Sequence, residues 1–117
     1  MFENILADLL RLEGVVEVGI ISKDGLLIEG ETRDRTLNVE TVGAMVVAVY
    51  GTSQNASKEI FNDERVDIIT VESPRGKIIS MEAGENAVLA VVTEPKVNLG
   101  LLRLYMKKNA QKVASML

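Results

Sequence analysis

Asn38-Val39-Glu40-Thr41-Val42-Gly43-Ala44-Met45-Val46-Val47-Ala48-Val49-Tyr50-Gly51-Thr52-Ser53-Gln54-Asn55-Ala56-Ser57-Lys58-Glu59-Ile60-Phe61 is the stretch around which the rest of the chain must be arranged. Its seventeen residues from Thr41 to Ser57 carry no charge, and they are bracketed by Glu40 and Lys58. Asn38 suits an N-cap, because its side-chain oxygen accepts from an orphan backbone N–H, and Glu40 suits the positive helix start. Read as one helix, the segment is about 36 Å long at about 1.5 Å per residue. One stripe is Val42, Met45/Val46, Val49, Ser53, Ala56 and Ile60; a second is Gly43, Val47, Tyr50, Gln54, Ser57 and Phe61. The third side, Ala44, Ala48, Gly51 and Asn55, is small enough for a backbone to come close. A surface helix needs one apolar stripe and a charged back. This helix has no charged back, so both of its sides call for cover.

The rest of the composition narrows the class. The 117 residues suit one domain, spanning 1–117, and 47% hydrophobic with 26% charged reads as a soluble globular chain. Fifteen valines and four aromatics make an aliphatic, β-branched core that favours a sheet. Without cysteine there is no disulfide or thiolate chemistry, and without histidine the usual general base and metal ligand are missing. No apolar run reaches the ~20 residues that span a bilayer, and the start lacks the basic residues of a signal peptide, so a cytoplasmic location without membrane insertion is expected. The net charge of −4 is uneven: residues 1–94 balance to −9, and residues 95–117 hold five basic side chains and no acid. That basic run reads as a solvated helix face, with lysines favouring the negative C-terminal dipole, and no nucleic-acid partner is expected.

Outward from the central helix, the elements fall in a simple order. Phe2, Ile5, Leu6, Leu9 and Leu12 have helical spacing, and Gly14 turns the chain. Val15–Ser22 is apolar on both faces except for Glu17, the pattern of a covered central strand. Asp24-Gly25 signals a two-residue hairpin into Leu26–Glu31. Beyond the helix come strands Val66–Glu72, Lys77–Glu82 and Ala87–Thr93, joined by Ser73-Pro74-Arg75-Gly76 and Ala83-Gly84-Glu85-Asn86. A last helix runs from Val97 to about Met116 and buries Leu99, Leu102, Met106, Ala110 and Val113. The order is α-ββ-α-βββ-α. It predicts an α/β (α+β) sandwich: one five-stranded antiparallel sheet, the central helix alone on one face and the terminal helices together on the other. Val16–Ser22 and Ala87–Thr93 should be interior, with Leu26–Glu31 and Val66–Glu72 as acidic edges.

Chemistry is sparse. The carboxylates Asp24, Glu29, Glu31, Asp34, Asp63, Glu64 and Asp67 lie near turns with basic neighbours, as solvated surface does. There is no G-x-x-x-x-G-K-[ST] phosphate loop, and Ser53 and Tyr50 have no base beside them. Arg33, Arg35, Arg65 and Arg75 occupy loops, where an arginine can act in trans on a bound nucleotide or simply keep the loop solvated. The expectation is a protein that is not an enzyme and holds no cofactor or metal.

Leu9-Leu10-Arg11-Leu12-Glu13-Gly14-Val15-Val16-Glu17-Val18-Gly19-Ile20-Ile21-Ser22-Lys23-Asp24-Gly25-Leu26-Leu27-Ile28-Glu29-Gly30 resembles the opening of the Roadblock (dynein light chain) family, and Asn98-Leu99-Gly100-Leu101-Leu102-Arg103-Leu104 resembles its final helix. With the small-residue central helix, the resemblance covers essentially the whole chain. It is similar to MglB-like members that act on a Ras-like GTPase, to subunits of GTPase-regulating scaffolds and to the dynein light chains. The resemblance implies a homodimer or heterodimer, formed through the central helix and the edge strand after it, with no catalytic residues. The expected function is a non-catalytic regulator or platform for a small Ras-like GTPase. The alternative is a structural light-chain-type subunit, joined to other Roadblock-type subunits, with no effect on GTP turnover. A small-ligand sensor fits less well, since no cluster of convergent polar groups is evident. The expected dimer interface is Gly43, Val47, Tyr50, Gln54, Val66, Ile68 and Thr70. Gln54, Asn55, Ser57 and Lys58, in the polar second half of the helix, are expected to meet a partner.

Overall fold

The computed structural model describes residues 1–117. Its elements are α1 (Glu3–Leu10), β1 (Val15–Ser22), β2 (Leu27–Thr32), α2 (Val39–Phe61), β3 (Ile68–Ser73), β4 (Gly76–Glu82), β5 (Ala87–Thr93) and α3 (Leu99–Met116). The strands form one antiparallel sheet in the order β2-β1-β5-β4-β3. The α+β architecture and its element order are those predicted, with β1 and β5 interior and β2 and β3 at the edges. β5 is interior because Ala87-Val88-Leu89-Ala90-Val91 is buried on both faces, leaving no side that tolerates water.

Three elements start later than the sequence suggests: β2 at Leu27, β3 at Ile68, and α3 at Leu99, where Asn98 and not Val97 opens the helix as its N-cap. β3 begins at Ile68, so Val66 and Asp67 precede it. The first hairpin is also longer than a two-residue turn: the Gly25 N–H donates to Ser22 O, and only Gly25 takes a positive φ, +95°. Asp24 therefore does not adopt the left-handed shape that a two-residue turn requires, and the loop Lys23-Asp24-Gly25 closes instead between Ser22 and Leu26.

The two faces of the sheet carry different cores. On one, α1 and α3 contribute Ile5, Leu6, Leu9, Leu102, Met106 and Val113 to a cluster of 18 buried residues with Val18, Ile20, Ile79, Leu89 and Val91. Asn109 is buried there too, a polar residue whose spacing from Met106 and Val113 puts it on the buried face of α3. Its Nδ2 donates to Asp8 Oδ2 at 2.9 Å and to the Tyr105 carbonyl at 2.8 Å, which ties α3 to α1. On the other face, α2 closes a cluster of only five buried residues: Ile21, Val46, Tyr50, Val88 and Ala90.

Candidate interaction site

α2 is built as its sequence dictates. Asn38 Oδ1 accepts from the Thr41 N–H at 3.0 Å, and Asn62 ends the helix in the left-handed conformation, its N–H bonded to Lys58 O. Gly43 sets how closely the helix approaches the sheet. A Cβ there would lie 3.0 Å from Ile21 Cγ1, so a larger residue requires Ile21 or the helix to shift by a few tenths of an ångström. Val46 and Tyr50 follow Gly43 at three- and four-residue spacing and share its inward face.

Tyr50 anchors the far end of this contact. It is 1% exposed, and its hydroxyl donates to the Val66 carbonyl at 2.8 Å, with Glu82 Oε2 at 3.4 Å. Burial first, and then the Glu82 carboxylate, raise the phenol well above its ordinary pKa. It therefore stays a neutral donor. Lys23 Nζ completes the cluster, 3.1 Å from Glu82 Oε2 and 5.8 Å from the centre of the Tyr50 ring.

The opposite side of α2 is uncovered. Met45 is 65% exposed and Val49 is 44% exposed, with Ala44, Ala48 and Ala56 exposed beside them and Ile60 farther along the same stripe. Between this ridge and the strands lies an apolar groove of about 320 Å³. Leu37, Val42, Met45, Val46 and Val49 form one wall; Ile69, Val71, Ile78 and Val92 form the sheet side, and Ser80 is the only polar lining residue. β3 pairs only with β4, so its other edge presents unpaired backbone groups along the groove. Ridge, groove and edge strand together make one continuous sticky surface.

The residues expected at an interface divide across this geometry. Gly43 and Tyr50 face the chain's own sheet, and Val47 is half-buried against the same cluster, so the outward ridge is Met45 and Val49 instead. Val66 packs under α2, and its carbonyl is the acceptor for Tyr50. Ile68 packs into the α1/α3 core, and Thr70 Oγ1 accepts from Arg103 Nη2 at 3.1 Å, so both side chains point away from α2. They reach the free edge only through their backbone; the β3 side chains on the α2 face are Ile69 and Val71. Of the polar residues, Ser57 is engaged within the chain, donating to Asp63 O at 2.6 Å, and Gln54 is half-buried. Asn55 and Lys58 are exposed.

The loop arginines also separate. The Arg33 guanidinium donates to the Leu10 carbonyl, and Arg65 pairs with Asp63 at 3.4 Å. Arg35 and Arg75 are exposed, and their guanidinium groups make no ion pair.

A sequence model of the Roadblock/LC7 domain matches residues 1–93. This chain belongs to the Roadblock/LC7 family. Among its relatives is uncharacterized protein MJ0714 of Methanocaldococcus jannaschii, 36% identical over 116 residues that cover 99% of this chain and 96% of the relative. Among solved structures, a Roadblock/LC7 domain from Streptomyces avermitilis superposes with a TM-score of 0.89 at 18% identity, covering 97% of this chain and 95% of that one. The gliding protein MglB from Thermus thermophilus gives 0.86 at 20% identity, covering 96% and 84%. At these identities the solved structures establish a shared Roadblock/LC7 fold. No helix of this Roadblock/LC7 chain is long and apolar enough to cross a membrane.

Proposed function

We propose that this Roadblock/LC7 chain forms a homodimer through the α2 ridge and the β3 edge, and that the dimer is a non-catalytic platform for a small Ras-like GTPase. The observation that carries the reading is the unbroken apolar surface from Met45 and Val49 across the groove to Ile69 and Val71, beside a strand edge with unpaired backbone groups. Antiparallel pairing of two β3 strands satisfies those groups and joins two five-stranded sheets into one. The two-fold axis then stands perpendicular to the sheet, placing both α2 helices on the same side with their apolar ridges facing. Similarity to the gliding protein MglB supports the GTPase part of the reading, and another solved neighbour is described as an MglB with tetrameric arrangement.

The platform holds a partner's mobile segments in one conformation rather than adding a catalytic group, since a ligand that binds one state better shifts the population toward it. Asn55, Lys58 and half-buried Gln54 lie on the outer part of α2, where a partner meets the paired helices; Ser57 supports the helix exit.

Sedimentation tests the pairing. Val49→Glu places two like charges near the axis and should convert the dimer to soluble monomer, weakening association at least ~100-fold. An unchanged dimer would refute the ridge as the interface. GTP turnover by a small Ras-like GTPase from the same genome tests the second part, with Arg35→Ala and Arg75→Ala as controls. Turnover should change on adding the wild-type chain and survive either substitution. Dimerisation without any GTPase binding leaves the light-chain-type subunit as the reading.

A further inference from the structure

We propose that the outward face of α3 docks on an anionic bilayer surface. α3 buries Leu102, Met106, Asn109, Ala110 and Val113 against α1 and the sheet. The helical period then turns Leu101, Leu104, Lys108 and Lys112 outward in a line, with Lys107 beside it and Lys96 just before the helix. Leu101 is 42% exposed and Leu104 is 68% exposed, so two adjacent leucines project from a helix whose other outward residues are largely cationic.

The charge on this face is not neutralised by ion pairs, although Lys108 lies 5.9 Å from the centre of the Tyr105 ring and Arg103 donates to Thr70. None of the five basic residues from 96 to 112 forms an ion pair. The acids on α1 are engaged already: Asp8 with Arg11 at 2.5 Å and with Asn109, and Glu3 with the terminal amine. Glu13 beside Lys96, Asp67 and Glu82 in the cleft with Arg103 and Lys107, and Asp8 within electrostatic reach of Lys108 are the acids at its margins. The surplus acids of the chain are spread over α2, the hairpins and the loops. The smallest dimension of the molecule is 26 Å, about three screening lengths at physiological salt, so acids on the α2 side scarcely weaken an anion's attraction to α3.

The pairing of leucines with cations selects the occupant. A nucleic-acid backbone would use the lysines and leave the leucines against water. A bilayer interface uses both: the leucines enter the headgroup–acyl boundary while the lysine stems lie along it with their ammonium groups among the phosphates. In the dimer proposed above, a two-fold axis perpendicular to the sheet puts both α3 helices on one side, doubling the contact on a flat target. Only that doubling rests on the proposed dimer.

The test is co-sedimentation of the full chain with phosphatidylcholine vesicles, with and without phosphatidylglycerol. Binding to the anionic vesicles alone is expected, with release as salt rises from ~0.05 to ~0.5 M. Each basic residue near such a surface contributes roughly fivefold in partitioning, so Lys107→Glu/Lys108→Glu should lose binding more than ~10-fold, and Lys107→Gln/Lys108→Gln somewhat less. Leu104→Ser should weaken binding a few-fold at unchanged salt dependence. Lys58→Glu and Arg75→Glu, which alter charge on other surfaces, should leave it unchanged. Circular dichroism checks that each variant is folded. Val49→Glu separates this inference from the dimer: its monomer should still bind anionic vesicles, more weakly. The inference is overturned if wild-type chain ignores anionic vesicles, if Lys58→Glu or Arg75→Glu lowers binding as much as the α3 variants, or if duplex DNA is bound through Lys107 and Lys108 while the vesicles are not.

Discussion

The two faces of the sheet are finished to different degrees. Under α1 and α3 the chain closes its own core, 18 buried residues deep, and adds a polar clamp between the helices from Asn109 to Asp8. Under α2 only five residues are fully buried, and the helix leaves an apolar groove on its β3 side. The sequence already separates the layers: α2 has no charge from Thr41 to Ser57, whereas α3 carries Arg103, Lys107, Lys108 and Lys112 on its outward side. Two helices cover one face, whereas one helix crosses the other and leaves the β3–β4 part of the sheet bare. A face that buries its apolar surface within the chain supplies stability; a face that cannot do so leaves apolar surface open to a partner.

The sharpest way to break this comparison is to truncate one large residue on each face. Leu102, fully buried under α3, should cost ~2–5 kcal/mol when changed to Ala. Met45 on the exposed ridge should change single-chain stability by no more than ~0.5 kcal/mol, measured in the Val49→Glu background, yet weaken dimerisation in the wild-type background. Urea unfolding reads both. Equal costs would mean that the α2 face is as complete as the other.

An intermediate effect is expected at the one strong polar anchor of α2. Tyr50→Phe leaves the Val66 carbonyl without its buried donor and should cost ~1–2 kcal/mol. Faster hydrogen exchange should follow along Val66–Thr70 before the α1/α3 core responds. Exchange that rises equally in α1 would show that the two faces unfold as one unit.

The smallest effect sharpens the comparison through pH. Glu17 is buried on β1, its Oε1 makes no hydrogen bond, and burial raises its pKa above the ordinary 4.5. In the unfolded chain this carboxyl ionises first. Its contribution is therefore complete below about pH 4.5 and is lost as pH climbs through the raised folded value. Asp8 works in the opposite direction: its bond from Asn109 lowers its pKa, so its stabilisation is lost only as acid carries the pH below 3.8. Glu17→Gln should remove the loss at rising pH and leave the acid limb intact. Urea midpoints at pH 4 and pH 8 check this; a wild-type slope retained in Glu17→Gln would move the titration elsewhere.

Much of this architecture is legible in the chain itself. Apolar residues on both faces marked β1 and β5 as interior, because no other place in a sheet satisfies such a strand. Asn38 marked the start of α2, because a short side chain there meets orphan N–H groups through local geometry alone; Asn98 caps α3 in the same way, although the apolar pattern placed that start at Val97. The same locality makes the outward line of α3, with its two leucines and unpaired lysines, readable once its buried side is known.

What local pattern left open was phase and partnership. Val42-Met45-Val49 and Gly43-Val47-Tyr50 are comparably apolar stripes, and only packing against Ile21 decided that Gly43 and Tyr50 turn inward while Met45 and Val49 turn out. The late start of β3 put Val66 beneath α2 and sent Ile68 and Thr70 to the opposite face. Asn109 and Glu17 lie buried for the same kind of reason, since their neighbours come from Asp8 and Thr32, distant in sequence or across a strand pair. Periodicity reports which residues of an element share a side. Which side meets the core is settled by what the rest of the chain brings against it, and that is a property of the folded whole.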